Sequence, residues 1–419
     1  FFFKQQTAYE IYQCDWSSDV CSSDLHTQVY WEDLFVSSFY ASFADIIEPL
    51  WRGQIIATSR TANLPAFDTQ RSCTPANKPP NIILIHEESV VPPGILPGQS
   101  YDKRLDPFFQ STDGRLHRMR VETYGGASWL TEFSILTGLS SRSFGGLKSF
   151  LQTYMVQRLS DTLPQRLLAC GYKNVVFYPM LKSFISAAPF FASIGMPDIH
   201  DAKDQAALTA AERDRFYFGN AMAEMEKHFA TSPKPLFTYI ETIATHWPYD
   251  LTYFPEENVP GGGPESNPEM HEFLRRLWLA KTDYEDFRQQ LQKRFPKERF
   301  VILHYGDHHP VATRTLLGFG ENLDAEDILL AEDSIGYQTY FAVDAINYRP
   351  APLPDIAVTD VAYVGAILLY AAGLPLPDSY AERLRLMKLC NGRYFDCPDQ
   401  EAILSFQRRL VDSGLLHPR

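Results

Sequence analysis

Short apolar runs alternate with longer segments of helical periodicity over most of the chain after Pro80. Five runs rich in β-branched and aromatic residues predict strands, at 81–86, 174–178, 236–241, 300–304 and 337–343. Five segments with apolar residues at helical spacing predict helices, at 129–139, 161–170, 207–229, 267–295 and 360–372. Because helices separate the strands, this order predicts an α/β domain with a mostly parallel central sheet and helices on both faces.

The segments around this pattern differ from it in composition. Residues 1–25 resemble an in-frame translation of a sequencing-library adapter, so we exclude them from the fold and expect the native N-terminus to be missing. Residues 26–78 predict an aromatic, membrane-proximal helix and then a polar linker, although a helix packed on the main domain explains the aromatic part equally well. We expect the main domain at 79–385 and a C-terminal helical tail at 386–419.

Composition and charge narrow the class of protein. A chain with 45% hydrophobic and 14% aromatic residues can bury a sizeable core, which excludes a disordered protein and a small disulfide scaffold. The formal net charge of -13 repels phosphate backbones and argues against nucleic acid as a partner. No apolar run reaches the roughly 18 residues of a membrane span, and the longest, 361–374, predicts a buried core helix.

Four cysteines lie outside the excluded segment, namely Cys73, Cys170, Cys390 and Cys397. Four cysteines in a chain of this length do not form a disulfide framework. The spacing of Cys390 and Cys397 is compatible with a local bridge in an oxidising compartment, and two unpaired thiols fit it equally well.

Carboxylates and histidines follow three of the predicted strands. The segments are Glu87-Glu88-Ser89 after the first, Glu241 and Thr245-His246-Trp247-Pro248 at the third, and Tyr305-Gly306-Asp307-His308-His309-Pro310 after the fourth. In open α/β sheets, ligands bind beyond the carboxyl ends of the strands. Carboxylate and imidazole ligands together suit Mn²⁺, Mg²⁺ or Zn²⁺, so the sequence predicts a metal site at this edge.

A serine lies at a turn that suits a nucleophile. The turn is Gly125-Gly126-Ala127-Ser128, and the helix predicted from Trp129 follows it directly. Free N–H groups at a helix start favour an anion, so Ser128 is a candidate nucleophile. A plain helix cap in a tight turn is the alternative interpretation of Ser128.

Taken together, these segments resemble the sulfatase-like branch of the alkaline phosphatase superfamily. The resemblance is strongest to the lipoteichoic acid synthase and phosphoglycerol or phosphoethanolamine transferase group, with four motifs in the right order between Asn81 and Gly373. It implies an alkaline-phosphatase-like fold, a divalent metal (Mn²⁺ above all, or Mg²⁺ or Zn²⁺), and a nucleophile four residues before a glutamate. In this chain that place is Ser128, four before Glu132.

The resemblance also implies roles for other residues. Glu88, Asp307 and His308 would hold the metal together with Ser128, and His246 would contact the phosphate or help the leaving group. The expected substrate contacts are His246, Trp129, Lys182 and His309. A satisfied core or loop position is the alternative for His309.

The chain departs from this family in the segments that bind the headgroup. Relatives have a His-Gly pair and later a Phe-Tyr-Asn-Arg segment, where this chain has Tyr178-Pro179 and Phe184-Ile185-Ser186-Ala187. The arginine position is therefore Ala187, and Lys182 is the available substitute. The motif of formylglycine sulfatases is absent, since Cys73 is not followed by its arginine, and an α/β-hydrolase elbow lacks its second glycine at Leu130.

The sequence thus predicts a metal-dependent phosphoryl-headgroup transferase, or a phosphodiester or phosphate-ester hydrolase, with a phosphoserine intermediate. The alternatives are a sulfuric ester hydrolase of the same superfamily and a non-catalytic sensor that binds a headgroup. The resemblance implies a phospholipid headgroup donor, a glycan or lipid acceptor, and a bacterial inner-membrane protein with its catalytic domain facing the periplasm. Its membrane anchor would precede His26, and a soluble protein is the alternative.

Overall fold

The structure is a computed structural model that describes residues 55–61, 64–69, 73–75, 77–208, 212–318 and 334–418. The excluded segment and the aromatic part of the membrane-proximal prediction lie outside these ranges. Within them, no helix combines the length and the apolar character needed to cross a bilayer.

Eight strands form one central sheet, in the order β4-β3-β5-β1-β6-β7-β2-β8. Their bounds are β1 Asn81–Glu87, β2 His117–Arg120, β3 Lys173–Phe177, β4 Ile199–His200, β5 Leu236–Glu241, β6 Phe300–Gly306, β7 Gln338–Ile346 and β8 Val358–Asp360. Strands β4, β3, β5, β1 and β6 are parallel neighbours, β7 runs antiparallel to both β6 and β2, and β8 is parallel to β2. The prediction of a mostly parallel sheet is therefore confirmed.

Helices pack on the sheet and at its ends. Their bounds are α1 Ser128–Thr137, α2 Leu151–Tyr154, α3 Leu163–Ala169, α4 Ala187–Ser193, α5 Asp214–Thr231, α6 Pro268–Arg294, α7 Val364–Ala371, α8 Asp378–Leu389 and α9 Gln400–Asp412. The five predicted helices correspond to α1, α3, α5, α6 and α7. Short 3-10 turns fill several of the connections, at 93–95, 103–109, 141–150, 184–186, 311–313, 335–337 and 361–363.

The three central strands are buried from end to end. Every residue of β1, β5 and β6 is buried, which fits their continuous apolar sequences, because a parallel sheet covered on both faces excludes water from both sides of each strand. The longest helix, α6, begins where Asn267 caps the backbone N–H of Met270 at 2.8 Å and Pro268 follows. These central strands carry the candidate site at their carboxyl ends.

The stretch that the sequence predicts as a linker lies against the domain where the structure describes it. Ile55, Ile56 and Phe67 are buried, and the ring of Phe67 is 5.8 Å from that of Phe406. A disulfide joins Cys73 in this stretch to Cys170 at the end of α3, a pairing that the sequence analysis did not predict. The Cys390–Cys397 bridge, one of two alternatives left open, is present.

Candidate functional site

The candidate site forms where β5, β1 and β6 end side by side. Glu88 follows the last residue of β1, Asp307 follows the last residue of β6, and the loop with His246 follows β5. Because these strands are adjacent and parallel, the sheet brings all three segments to one edge. The structure thus brings together the residues that the sequence predicted to be metal ligands.

Ser128 reaches the same place as the first residue of α1. Ala127 before it has a left-handed backbone with φ of 61°, which is uncommon for a residue with a side chain. The Thr131 hydroxyl donates to the carbonyl oxygen of Asp307 at 2.8 Å, and the N–H of Gly125 donates to the carbonyl oxygen of His309 at 3.1 Å. These bonds hold the turn at residues 125–128 against the Asp307 loop.

The polar atoms of four predicted residues converge on one point. The Ser128 hydroxyl donates to Glu88 Oε2 at 2.8 Å and lies 3.2 Å from His308 Nε2. His308 Nε2 is also 3.3 Å from Glu88 Oε1 and 3.3 Å from Asp307 Oδ2. The backbone N–H groups of Ser89 and His308 donate to Asp307 Oδ1 at 2.7 and 2.8 Å, so this carboxylate is fixed with Oδ2 turned inward.

His86 also belongs to this cluster and was not predicted from the sequence. Its Nε2 is 3.2 Å from Asp307 Oδ2, and its Nδ1 is 2.9 Å from the Tyr305 hydroxyl and 3.1 Å from the Tyr239 hydroxyl. Residues two apart on a strand share a face, so the position of His86 two residues before Glu88 was the available signal. Polar atoms of His86, Glu88 and Asp307 lie within 4.8 Å of one another, close enough to hold one ion.

This donor set fits a divalent metal. Zinc-type ligands bind at about 2.0–2.2 Å, which places the donors of a tetrahedral site roughly 3.3 Å apart, close to the separations around His308 Nε2. His86 Nε2 and Asp307 Oδ2 are buried and face each other at 3.2 Å without a well-aligned hydrogen bond among the described residues, which leaves both atoms available to an ion. The residues that would hold the metal are Glu88, Ser128, Asp307 and His308, with His86 beside them.

Charges within the cluster act strongly on its pKa values. Burial by itself raises the pKa of Glu88, but the charge and hydrogen bond of His308 outweigh it and hold that pKa well below its ordinary value. Burial lowers the pKa of His308, whereas Asp307 and Glu88 raise it, to about 9 overall. In the absence of metal, a proton therefore occupies His308, and metal binding displaces it.

His246 lies in a loop that is tied to α6. The guanidinium of Arg276 donates to the carbonyl oxygens of His246 at 2.6 Å and Pro248 at 2.8 Å, and the Trp247–Pro248 peptide bond is cis. Burial lowers the pKa of His246, with the Glu88 charge acting against that effect, so the ring is neutral at neutral pH. Its Nδ1 contacts the carbonyl oxygen of Trp247, which only accepts, so Nδ1 carries the proton and Nε2 is an acceptor.

The other expected substrate contacts differ in their surroundings. Trp129 is next to Ser128 and buried, and its indole N–H has no partner among the described residues. Lys182 is partly exposed and forms an ion pair with Asp204, 2.5 Å apart, so its ammonium group already has a carboxylate partner. His309 lies 2.9 Å from the Gln338 carbonyl through Nε2 and 3.3 Å from the Thr313 hydroxyl through Nδ1.

For His309 the structure therefore favours the alternative, a structural position. Both of its ring nitrogens are engaged with protein groups, which leaves neither for substrate. Burial lowers the pKa of His309 to about 4, so the ring is neutral. Its carbonyl oxygen lies 2.9 Å from His308 Nδ1 and accepts the proton there, which turns Nε2 of His308 toward the cluster.

A model of a known protein family matches most of this chain. A family model described as Sulfatase matches residues 80–350. An uncharacterized protein of Haemophilus influenzae is 24% identical over 354 residues, which are 80% of this chain and 61% of that relative. The chain thus spans about 61% of the length of this curated relative.

Solved structures share the fold. The phosphoglycerol transferase GacH of Streptococcus pyogenes, in complex with sn-glycerol-1-phosphate, aligns with a TM-score of 0.61 at 15% identity, over 85% of this chain and 94% of that one. The C-terminal periplasmic domain of EptC from Escherichia coli, in complex with zinc, aligns with a TM-score of 0.51 at 14% identity, over 77% and 89%. At these identities the likeness establishes the alkaline-phosphatase-like fold.

Proposed function

The chain belongs to the sulfatase family, and on that premise we propose that it is a phosphoryl-headgroup transferase, or a phosphodiester or phosphate-ester hydrolase, that forms a phosphoserine at Ser128. One observation carries the proposal. The Ser128 hydroxyl lies at the start of α1, hydrogen-bonded to Glu88 and 3.2 Å from His308 Nε2, within the donor set that fits a metal. A serine that only caps a helix has no need of a buried carboxylate and imidazole on its side chain.

The groups around Ser128 have different roles in a displacement at phosphorus. A divalent metal, for which we propose Mn²⁺, supplies Lewis acidity that lowers the pKa of the serine hydroxyl and stabilises charge on the phosphoryl oxygens. Glu88 accepts the hydrogen bond of the hydroxyl and sets its direction. The backbone N–H groups at the start of α1 favour the negative charge of the phosphoryl group. The bond from Ser128 Oγ to phosphorus forms as the bond to the leaving oxygen breaks.

His246 moves the proton that this exchange requires. In the first half of the reaction, the neutral Nε2 takes the proton of the Ser128 hydroxyl and donates it to the leaving oxygen. In the second half, Nε2 takes the proton of the acceptor hydroxyl as that oxygen attacks the phosphoserine, and returns it to Ser128 Oγ as the bond from Oγ to phosphorus breaks. One proton is thus taken from Ser128 and returned to it in each cycle, whether the acceptor is a glycan or lipid hydroxyl or water.

We place this activity in the bacterial cell envelope, with a phospholipid headgroup donor and a glycan or lipid acceptor, in a protein anchored in the inner membrane and facing the periplasm. Two disulfides, Cys73–Cys170 and Cys390–Cys397, support an oxidising compartment. The E. coli structure with the same fold is a periplasmic domain. Phosphoryl chemistry is preferred to sulfate-ester hydrolysis because the formylglycine motif is absent from the sequence.

Intact-mass spectrometry of the full chain tests the nucleophile. The protein is incubated with Mn²⁺ and a mixture of glycerophospholipids, beside Ser128→Ala and a control, Ser134→Ala, in the same helix. We expect a covalent phosphoryl-headgroup adduct on the wild type and on Ser134→Ala, and none on Ser128→Ala. An adduct on Ser128→Ala would refute the assignment. Binding of headgroup and metal without an adduct or turnover on any variant would support the sensor alternative.

A further inference from the structure

A second group of buried polar side chains lies one helical turn beyond Ser128, outside the metal cluster. Glu132 in α1 and Glu241 at the end of β5 are 2% and 7% exposed, and their carboxyl groups are hydrogen-bonded to each other. Gln152 Nε2 donates to Glu132 Oε1, and the Tyr239 hydroxyl is 3.4 Å from Glu132 Oε2. We call these three side chains, Glu132, Glu241 and Gln152, the acid recess.

Two acceptor oxygens of the acid recess receive no hydrogen bond among the described residues. Glu241 Oε2 and Gln152 Oε1 are buried, and among the described residues no N–H or hydroxyl group donates to either of them. Native structures leave few buried polar atoms unsatisfied, and each such atom calls for an explanation. A ligand that brings several N–H donors would satisfy these oxygens, and an ammonium group brings three donors and accepts nothing.

Positive charge is scarce around the recess. Burial raises the pKa of Glu132 to about 7, and of the groups that act most strongly on it only His86 is basic. The pKa of Glu241 is raised well above its ordinary value by burial and by the charges of neighbouring carboxylates. An ammonium group would offset the burial and the mutual repulsion that raise both pKa values, so the recess suits a cation better than an anion.

The recess is within reach of a phosphate held at Ser128. Residues four apart on a helix share a face, with Cβ atoms about 5–6 Å apart, so Ser128 and Glu132 are separated by a distance that a short alkyl spacer bridges. Glu241 is no more buried than the nucleophile, with 7% exposure against 5% for Ser128. Burial, and then the charges of Glu241, Glu132 and Glu88, raise the pKa of the Tyr178 hydroxyl, so this side chain is near both groups.

We propose that the acid recess binds a primary ammonium group on the headgroup of the donor, so that the preferred substrates are aminoalkyl phosphate esters. This inference rests on the proposed function, since it concerns the headgroup of the same reaction. On binding, the proton shared by the two carboxyl groups would pass to solvent, and their oxygens and the Gln152 carbonyl would receive the ammonium hydrogens while the phosphoryl group lies at Ser128. A headgroup that ends in a hydroxyl would leave that proton in place and would offer the recess a single uncharged donor.

Two para-nitrophenyl phosphodiesters that differ in one group provide the test. Aminoethyl and hydroxyethyl para-nitrophenyl phosphate have nearly the same shape, and in each the nitrophenolate leaves while the remaining phosphoryl group is transferred. With Mn²⁺ and the full chain, we expect kcat/KM to favour the aminoethyl ester by about tenfold or more, the margin of a charge-assisted over a neutral hydrogen bond. We expect Glu241→Gln to bring the ratio close to one, mainly by slowing the aminoethyl ester.

Matched variants make the outcome decisive. Glu122→Gln changes another buried glutamate outside the recess, bonded to Ser140 and Ser141, and we expect the wild-type ratio from it. If Glu241→Gln fails to fold, Glu132→Gln and the wild-type ratio still decide the question. Equal kcat/KM for both esters in the wild type, or an unchanged preference in Glu132→Gln and Glu241→Gln, would overturn the ammonium proposal.

Two further outcomes distinguish failure of the ammonium proposal, with an inorganic cation in the recess instead, from failure of the proposed function. In the first, calorimetric titration of the wild type with Mn²⁺ or Ca²⁺ shows a second equivalent of bound metal that Glu241→Gln lacks, and neither ester is preferred. That result would assign the recess to an inorganic cation and overturn the proposal. In the second, the wild type releases nitrophenolate from both esters no faster than Ser128→Ala does. That result would mean that the proposed function itself fails.

Discussion

Replacing Gly306 by alanine tests the site through the backbone that supports it. Gly306 is the last residue of β6, directly before Asp307, and an added Cβ would lie 1.7 Å from the carbonyl oxygen of Val90 and 2.8 Å from its carbon. Both obstructing atoms are backbone, so no side-chain rotation relieves the contact. Real Cβ contacts are essentially never shorter than 3.0 Å, so the two segments must separate by at least 1.3 Å.

That separation falls between two parts of the metal cluster. The hydrogen bond from the Ser89 N–H to Asp307 Oδ1, now 2.7 Å, spans the same gap and is lost when the gap widens. Overpacking of this kind costs about 1–3 kcal/mol, and we expect the upper end because backbone must move. A displacement of about 1 Å in a catalytic group reduces the rate by about a hundredfold, and we expect a loss of that order together with weaker Mn²⁺ binding.

Three measurements check this expectation: urea unfolding for stability, calorimetry for Mn²⁺ affinity, and the initial rate of nitrophenolate release. Gly219→Ala is the control, since Gly219 lies inside α5, its added Cβ would meet nothing within 4 Å, and the change should stabilise the protein by about 0.5–1 kcal/mol. If Gly306→Ala kept Mn²⁺ affinity and rate within twofold of the wild type, the reasoning that ties the Val90 contact to the position of Asp307 would be refuted.

Three further predictions concern stability. We expect Cys73→Ser to lower the free energy of unfolding by about 2 kcal/mol more than Cys390→Ser does. The two disulfides join residues 97 and 7 positions apart in the chain, and loop-closure entropy grows with that separation. Urea unfolding of both variants measures the difference, and the reverse order would contradict the expectation. We expect Arg383→Met to destabilise the protein by about 1–3 kcal/mol, because the carbonyl oxygens of Thr137 and Gly138 lose this buried donor, whereas Asp161, 2.9 Å from Arg383, keeps its ion pair with Arg166; unchanged urea unfolding would contradict this. Burial and the charge of a neighbouring carboxylate raise the pKa of Asp214 to about 8 in the folded protein, above the unfolded value of about 3.9. Between these two pKa values the folded state binds more protons than the unfolded state, so the protein loses stability as pH rises through that range. We therefore expect Asp214→Asn to be more stable than the wild type at pH 8 but not at pH 4. Equal pH profiles of unfolding for the two proteins would contradict this.

Local pattern was sufficient for most of the central sheet. The strands β1, β3, β5, β6 and β7 are found where apolar runs predicted them, because burial on both faces requires a continuous apolar sequence. The strands β2, β4 and β8 were not predicted. They are short, and β2, with the sequence His-Arg-Met-Arg, alternates charged and apolar residues too briefly to be distinguished from a loop. Their strand character comes from pairing with neighbours.

The candidate site was predictable to the extent that its residues follow strands. Glu88, Asp307 and His308 stand at strand ends, and Ser128 stands at a helix start, so position along the chain identified them. His86 was missed because a histidine inside an apolar strand has no local sign of its function; its side chain acquires a partner only when β1 and β6 pair and bring Asp307 within 3.2 Å. The Cys73–Cys170 bridge is of the same kind, since its cysteines are 97 residues apart.

By itself, the sequence determined which segments form strands and helices, the order in which they occur, and the set of chemical groups placed at the strand ends, because these depend on local periodicity and on residue type. Only the tertiary structure decided which groups meet. It turned His309 away from the site, paired Lys182 with Asp204 at the surface, and set Glu132 against Glu241 in the acid recess. The physical reason is that a side chain's pKa, partners and orientation depend on atoms from distant segments, and folding alone brings those atoms within a few ångströms.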